Sequence, residues 1–189
     1  EGYTPVARDS QTIILDAYDK EIKFYYYKNV ELTANGASTS YNGNVQSVNG
    51  FTGAPDGADF SAINVGASGK DVGKYPAVFA ENTKGTVDGT EKYIVANTTD
   101  GELVINPRTV VLTSESGSKP YDGTALTKSS VTVTEEGFVD GEVTDIKATG
   151  SVLNVRDGEV INTIVYTVGA NFKDSNYSIT KNEGKLSIT

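Results

Sequence analysis

The chain contains no cysteine, histidine, methionine or tryptophan. Without cysteine there is no disulfide framework and no thiolate ligand. Without histidine the commonest general acid–base is missing, and the serine and cysteine triads that depend on it are excluded. Zinc sites built on His and Cys are excluded as well. No phosphate loop of the G-x-x-x-x-G-K-[ST] type occurs. No apolar run approaches the length of a membrane span. The opening Glu1-Gly2-Tyr3-Thr4-Pro5 has neither the basic nor the apolar region of a signal peptide, and no initiating methionine. The stretch reads as a segment of a longer extracellular chain that relies on sheet packing rather than cross-links.

Positive charge is also short. Sixteen Lys and Arg stand against 25 Asp and Glu, a net charge of −9 with a pI near 4.5. Phosphate contacts need a basic face, so nucleic acid is not an expected partner. Anionic lipid is disfavoured for the same reason. Solubility and self-repulsion account for the excess acid more simply than a patch for a basic partner.

What the chain does contain is itself, twice. Val30-Glu31-Leu32-Thr33 leads to Tyr41-Asn42-Gly43, and Val110-Val111-Leu112-Thr113 leads to Tyr121-Asp122-Gly123. Each copy closes alike. Tyr93-Ile94-Val95 precedes Gly101-Glu102-Leu103-Val104-Ile105, and Tyr177-Ser178-Ile179 precedes Gly184-Lys185-Leu186-Ser187-Ile188. The repeats are placed at 29–107 and 108–189, after a β-hairpin stub at 1–28 from the end of a preceding module. A unit built twice points to a spacer or adhesive array more than to a one-off catalyst.

The expected elements are strands. In the stub they are 12–15 and 22–28. In the first repeat they are 30–33, 45–51, 60–65, 75–80, 92–96 and 102–106. In the second they are 109–113, 131–135, 145–149, 162–168, 177–180 and 185–188. Alternation is clearest in Val131-Thr132-Val133-Thr134 and Leu186-Ser187-Ile188, where one face is apolar and the other hydroxylated. Asn-Gly at 35, 42 and 49 and Asp-Gly at 56, 88, 100, 122, 140 and 157 mark turns that require positive φ. A short helix or single turn fits only near 58–63. Pro107 at the joint favours extended geometry, with one strand running almost directly into the next.

The fold class expected is therefore all-β: two tandem β-sandwich-like (Ig-like) modules in an elongated arrangement. The alternative is a pair of β-grasp modules with one short helix each.

These residues resemble a family. Tyr-[Asn/Asp]-Gly, a central Gly-Phe (Gly50-Phe51, Gly137-Phe138), a late tyrosine strand and the closing Gly-x-Leu-x-Ile are similar to MBG-type repeats of bacterial surface proteins. Val72-Gly73-Lys74-Tyr75 looks like a further motif of that family. The second repeat departs there and carries Asn162-Thr163-Ile164-Val165-Tyr166 instead. Ile22-Lys23-Phe24-Tyr25-Tyr26-Tyr27-Lys28 resembles the closing strand of a mucin-binding-protein (MucBP) type repeat. The resemblance implies a Gram-positive cell-surface or cell-wall protein of adhesin type, with the repeats as stalk or adhesive units. The implied partner of the adhesive reading is a host mucin glycoprotein or carbohydrate. No membrane insertion is expected in this segment, and a monomer is.

No catalytic, cofactor-binding or metal residue is assigned, and no enzyme activity is expected. A glycosidase-like carboxylate pair is the one catalytic device the composition leaves open, but about half of the acids sit beside glycine and read as exposed turn residues. The tyrosines are the binding candidates. Phe24 and Tyr26 share one strand face, and Tyr25 and Tyr27 the other. Tyr41/Tyr121 and Tyr93/Tyr177 stand at matched positions, where packing anchors are the simplest reading. Lys119, Asn176 and Glu183 form a candidate trio for a lysine–asparagine cross-link beside an acid.

Overall fold

A computed structural model describes residues 3–5 and 26–189. Their regular structure is almost wholly strand, so the all-β class holds. In the first half these are β1 (Tyr3–Pro5), β2 (Tyr26–Ala34), β3 (Ala37–Ser40), β4 (Gln46–Asn49), β5 (Phe51–Thr52), β6 (Gly66–Gly69), β7 (Gly73–Ala77), β8 (Tyr93–Thr99) and β9 (Gly101–Asn106). The second half continues with β10 (Arg108–Ser114), β11 (Gly117–Lys119), β12 (Leu126–Thr127), β13 (Val131–Glu135), β14 (Val143–Ala148), β15 (Ser151–Val152), β16 (Val160–Asn162), β17 (Ile164–Val168), β18 (Tyr177–Asn182) and β19 (Gly184–Ile188). The helical elements among the described residues are three-residue 3-10 turns at Glu81–Thr83, Val155–Asp157 and Asp174–Asn176. No helix among them is long and apolar enough to cross a membrane.

The chain divides into two compact units. The first comprises 1–38, 46–69 and 74–104; the second comprises 39–45, 70–73 and 105–189. Two short segments that precede β10 in sequence, 39–45 and 70–73, thus belong to the second unit.

The first unit is organised on β2. It pairs in parallel with β8, Val30 facing Val95, and antiparallel with β5. Its residues alternate, so Val30, Leu32 and Ala34 point into a core with Phe60, Val65, Ala77, Phe79 and Val95. Residues 60–65 do not form the expected strand. The Asp59 carboxylate takes the Ser61 N–H, and the Ile63 N–H turns back to the Phe60 carbonyl. The segment therefore curls, and Phe60 and Val65 reach the core from a loop. The proposed helix or single turn near 58–63 is this bent loop with a turn at Ser61-Ala62.

The second unit repeats the plan. Its β10 pairs in parallel with β18, Val110 facing Ile179, and antiparallel with β13. Val110, Leu112 and Ser114 alternate inward as Val30, Leu32 and Ala34 do. After a short break, β11 pairs in parallel with β19, whose Leu186 and Ile188 are buried with Val152. The alternation expected of β13 is present in sequence but buries little: Val131 is half-buried and Val133 is exposed. The expected strand 162–168 is broken at Thr163 into β16 and β17, which pair with different partners.

The closing glycine of each repeat has a steric cause. A Cβ on Gly101 would lie 2.3 Å from the Asn35 carbonyl oxygen, and one on Gly184 would lie 2.4 Å from that of Glu115. Backbone passes over both positions, so only glycine fits. Gly101→Ala and Gly184→Ala are each expected to cost about 1–3 kcal/mol, as overpacking does; urea unfolding with no change in midpoint would show that the backbone yields freely. Six of the nine turn dipeptides do have glycine at positive φ. The exceptions are Gly36, Gly89 and Gly101, which sit under a neighbouring group instead.

Of the stub, residues 6–25 lie outside the described residues, including the expected strand at 12–15 and the residues Phe24 and Tyr25. Tyr26–Lys28 pairs antiparallel with Tyr3–Pro5 and runs without interruption into the rest of β2. Only Pro107 separates β9 from β10.

Candidate functional site

In the second unit a buried carboxylate is held by two tyrosines. Tyr41 is presented by the turn after β3, and Tyr177 begins β18. Glu142 lies just before β14 and is 5% exposed. The Tyr41 hydroxyl donates to Glu142 Oε1 at 2.6 Å, and the Tyr177 hydroxyl donates to Oε2 at 2.7 Å. The Tyr177 oxygen also accepts the Val139 N–H at 3.1 Å. Each carboxylate oxygen thus has a donor, which is what makes its burial tolerable.

Aromatic packing surrounds this lock. The Tyr41 and Tyr177 rings meet edge to face at 5.6 Å, Phe172 stacks on Tyr177 at 5.4 Å, and Phe138 contacts Tyr177 at 5.3 Å. Such pairs contribute about 0.5–1.5 kcal/mol each beyond their burial. Arg108 ties the backbone together around them: Nε donates to the Gly137 carbonyl at 2.7 Å and Nη1 to the Tyr41 carbonyl at 3.3 Å. Alongside, Asn176, fully buried, accepts the Val72 N–H and donates to Asp71 Oδ1, both at 2.9 Å. Lys173 pairs with Asp71. The Lys173 ammonium and the Asn176 amide hold the Asp71 carboxyl below its ordinary range.

Burial, then the hydrogen bond to Glu142 and its charge, pushes the Tyr41 hydroxyl up to about 12. Burial and Glu142 raise Tyr177 further still, against the Val139 N–H. A tyrosine is neutral when protonated, so a raised value means that the fold favours the protonated form. The stability this supplies is complete below pH ~10 and is lost as pH rises through 10 to 12 and beyond. For Tyr41 alone the loss amounts to roughly 2 kcal/mol by pH 12. Urea midpoints of the wild type and Tyr41→Phe should therefore converge between pH 9.5 and 12; parallel curves would show that Tyr41 is not linked to folding.

The first unit holds its own buried acid. Asp88 is 2% exposed. Its carboxylate accepts the backbone N–H groups of Lys92 and Tyr93 at 2.8 Å, Thr90 at 3.2 Å and Asp59 at 3.3 Å, and the Thr90 hydroxyl. Burial alone would raise this carboxyl, but the donors outweigh it and hold it far below the ordinary value.

Asp88 and Glu142 both adjoin glycine and were expected to be exposed turn acids; both are buried and organise their loops. The matched tyrosines were expected to be anchors in both repeats. Tyr41 is 1% exposed, but Tyr121 is 59% exposed. Of the strand aromatics within the described residues, Tyr26 is exposed and Tyr27 half-buried.

The proposed cross-link trio is not assembled. The Lys119 ammonium lies on Asp122 and Thr124, the Asn176 amide on Asp71, and a Glu183 oxygen accepts the Ile164 N–H. Two surface grooves are open to solvent: one of ≈ 380 Å³ includes Asn49, Gly66 and Ser68, and another of ≈ 350 Å³ includes Asn42, Arg108 and Val139.

Fold and site together define a duplicated, strand-built unit whose buried carboxylates, Asp88 and Glu142, are met by internal donors. No family model matches the chain, nor does any curated protein or solved structure.

Proposed function

We propose that the chain is a non-catalytic repeat segment of a bacterial cell-surface adhesin-like protein, serving as a stalk that projects other domains. In this reading each repeat is a sandwich-like module of the MBG type, extracellular and monomeric. One observation carries it: the same parallel strand pair, in matching register up to Val30 and Val110, and the same sterically required closing glycine occur in both units. A spacer is made by repeating one unit, with stability arising inside each unit and at its neighbours. The buried acids add support, because Asp88 and Glu142 direct their oxygens to internal donors.

A second reading, weak adhesion to host mucin glycoprotein or carbohydrate, is favoured by the exposed rings of Tyr26 and Tyr121. Such contacts would be weak singly and would gain avidity by repetition. Titrating the 189-residue chain against mucin and a glycan panel separates the two. The stalk reading expects no saturable binding. Saturable binding that is lost in Tyr26→Ala or Tyr121→Ala would replace it with the adhesive one, and release of sugar from any glycan would overturn both.

A further inference from the structure

The turns at Tyr41 and Tyr121 are the same structure in two states. The Tyr41 N–H donates to the Asn106 carbonyl at 2.9 Å, and the Tyr121 N–H to the Thr189 carbonyl at 3.0 Å. The Asn44 N–H closes on Asn42 Oδ1 at 2.9 Å, and the Thr124 N–H closes on Asp122 Oδ1 at the same distance. Gly43 and Gly123 have φ of 79° and 81°. Backbone, anchor and turn therefore coincide. What differs is what covers them. Around the first turn, Glu142 takes the tyrosine hydroxyl, Arg108 takes the tyrosine carbonyl, and Val139 lies 2.7 Å from where a Cβ on Gly43 would stand. Around the second, the tyrosine ring is exposed and nothing lies within 4 Å of a Cβ on Gly123.

We propose that the Tyr121-Asp122-Gly123-Thr124 turn is a plug that docks on a following module of the same kind, one that presents a carboxylate beside a tyrosine and a basic side chain. The inference rests on the tandem-module reading above. The receiving chemistry is that of Glu142, Tyr177 and Arg108 around Tyr41. Asp122 replaces Asn42, which shares a groove with Arg108; its carboxylate holds Lys119 at 2.8 Å and the Thr124 N–H at 2.9 Å, so the second turn is braced by an ion pair within its own repeat. A rigid turn that is already formed loses little entropy on docking, and a large aromatic ring with a polar tip suits a buried pocket that ends in an acceptor. Gly123 matters for the same reason: its bare surface leaves room for a residue at the Val139 position.

The junction to imitate is visible in the chain. Thr189 holds the place of Asn106, and Asn106 is followed by Pro107 and β10. The test extends the full chain by a second copy of residues 107–189 placed directly after Thr189, with the added copy's counterpart of Tyr121 changed to Phe so that Tyr121 alone reports. Tetranitromethane nitration of Tyr121 is followed by peptide mass in the original and extended chains, and folding of the added copy by amide shift dispersion. The expected result is nitration of Tyr121 at least tenfold slower in the extended chain, with part of the protection lost when the added copy's counterpart of Arg108 is changed to Gln. A folded added copy with Tyr121 still reactive would overturn the plug and leave the tandem-module reading standing. An added copy that stays unfolded behind an intact first 189 residues would overturn both.

Discussion

Glu142→Leu is expected to destabilise the second unit by about 2–4 kcal/mol. The substitution keeps the volume, so no large cavity opens. It removes the acceptor of two charge-assisted hydrogen bonds and leaves the hydroxyls of Tyr41 and Tyr177 pointing into apolar surroundings. An orphaned buried donor costs about 1–3 kcal/mol. Relief of burying a carboxylate works in the other direction and prevents the two costs from adding fully. Glu142→Gln separates the contributions: it keeps an acceptor and the length of the side chain, and should lose about half as much. Tyrosine fluorescence during urea unfolding reads both, since the chain has no tryptophan. If Leu and Gln are equally harmless, the two hydroxyls have found other acceptors and the lock is not a source of stability.

Asp88→Ala is the second large effect, about 3 kcal/mol in the first unit. Four backbone N–H groups and the Thr90 hydroxyl converge on this one carboxylate. Water reaches some of them once it is gone; those that stay dry carry the penalty of unmade bonds. Asp88→Asn retains one oxygen and should lie between. The same carboxylate makes the unit acid-sensitive. Its value in the fold is depressed, so its contribution is complete above the unfolded value near 3.9 and is lost as pH falls below that. Wild type and Asp88→Asn should therefore approach each other in stability from pH 5 towards pH 2. Curves that stay parallel over that range would remove Asp88 from the acid response.

Both residues show where a sequence stops speaking. The repeat itself was legible, because the requirements behind it are local. Val30 and Val110 face matching partners on β8 and β18. Gly101 and Gly184 must be glycine whatever else changes, since backbone crosses them. Strand 131–135 was placed correctly, for its β-branched run is a local preference. Short strands such as β3 and β11 were not legible. Ala37–Ser40 and Gly117–Lys119 have no strand signature and are extended because a partner holds them, as β19 holds β11. The break at Thr163 is similar: β16 and β17 answer to different partners.

The candidate site was half legible. Matched tyrosines were visible, but their burial depends on residues far along the chain. Glu142 is 101 positions from Tyr41, and nothing in Asp140-Gly141-Glu142 separates an exposed turn acid from a buried acceptor. A pattern shared by two turns cannot reveal which of them is covered. That is decided by the neighbour each turn meets.

One turn motif is covered at Tyr41 and open at Tyr121. Tyr41→Phe and Tyr121→Phe, compared by equilibrium urea unfolding of the full chain near pH 7.5, test it most directly. Loss of a buried charge-assisted hydrogen bond should cost Tyr41→Phe about 1.5–3 kcal/mol, while Tyr121→Phe stays within about 0.5 kcal/mol of the parent, as surface changes do. Equal losses at the two positions, or the larger loss at Tyr121, would contradict it.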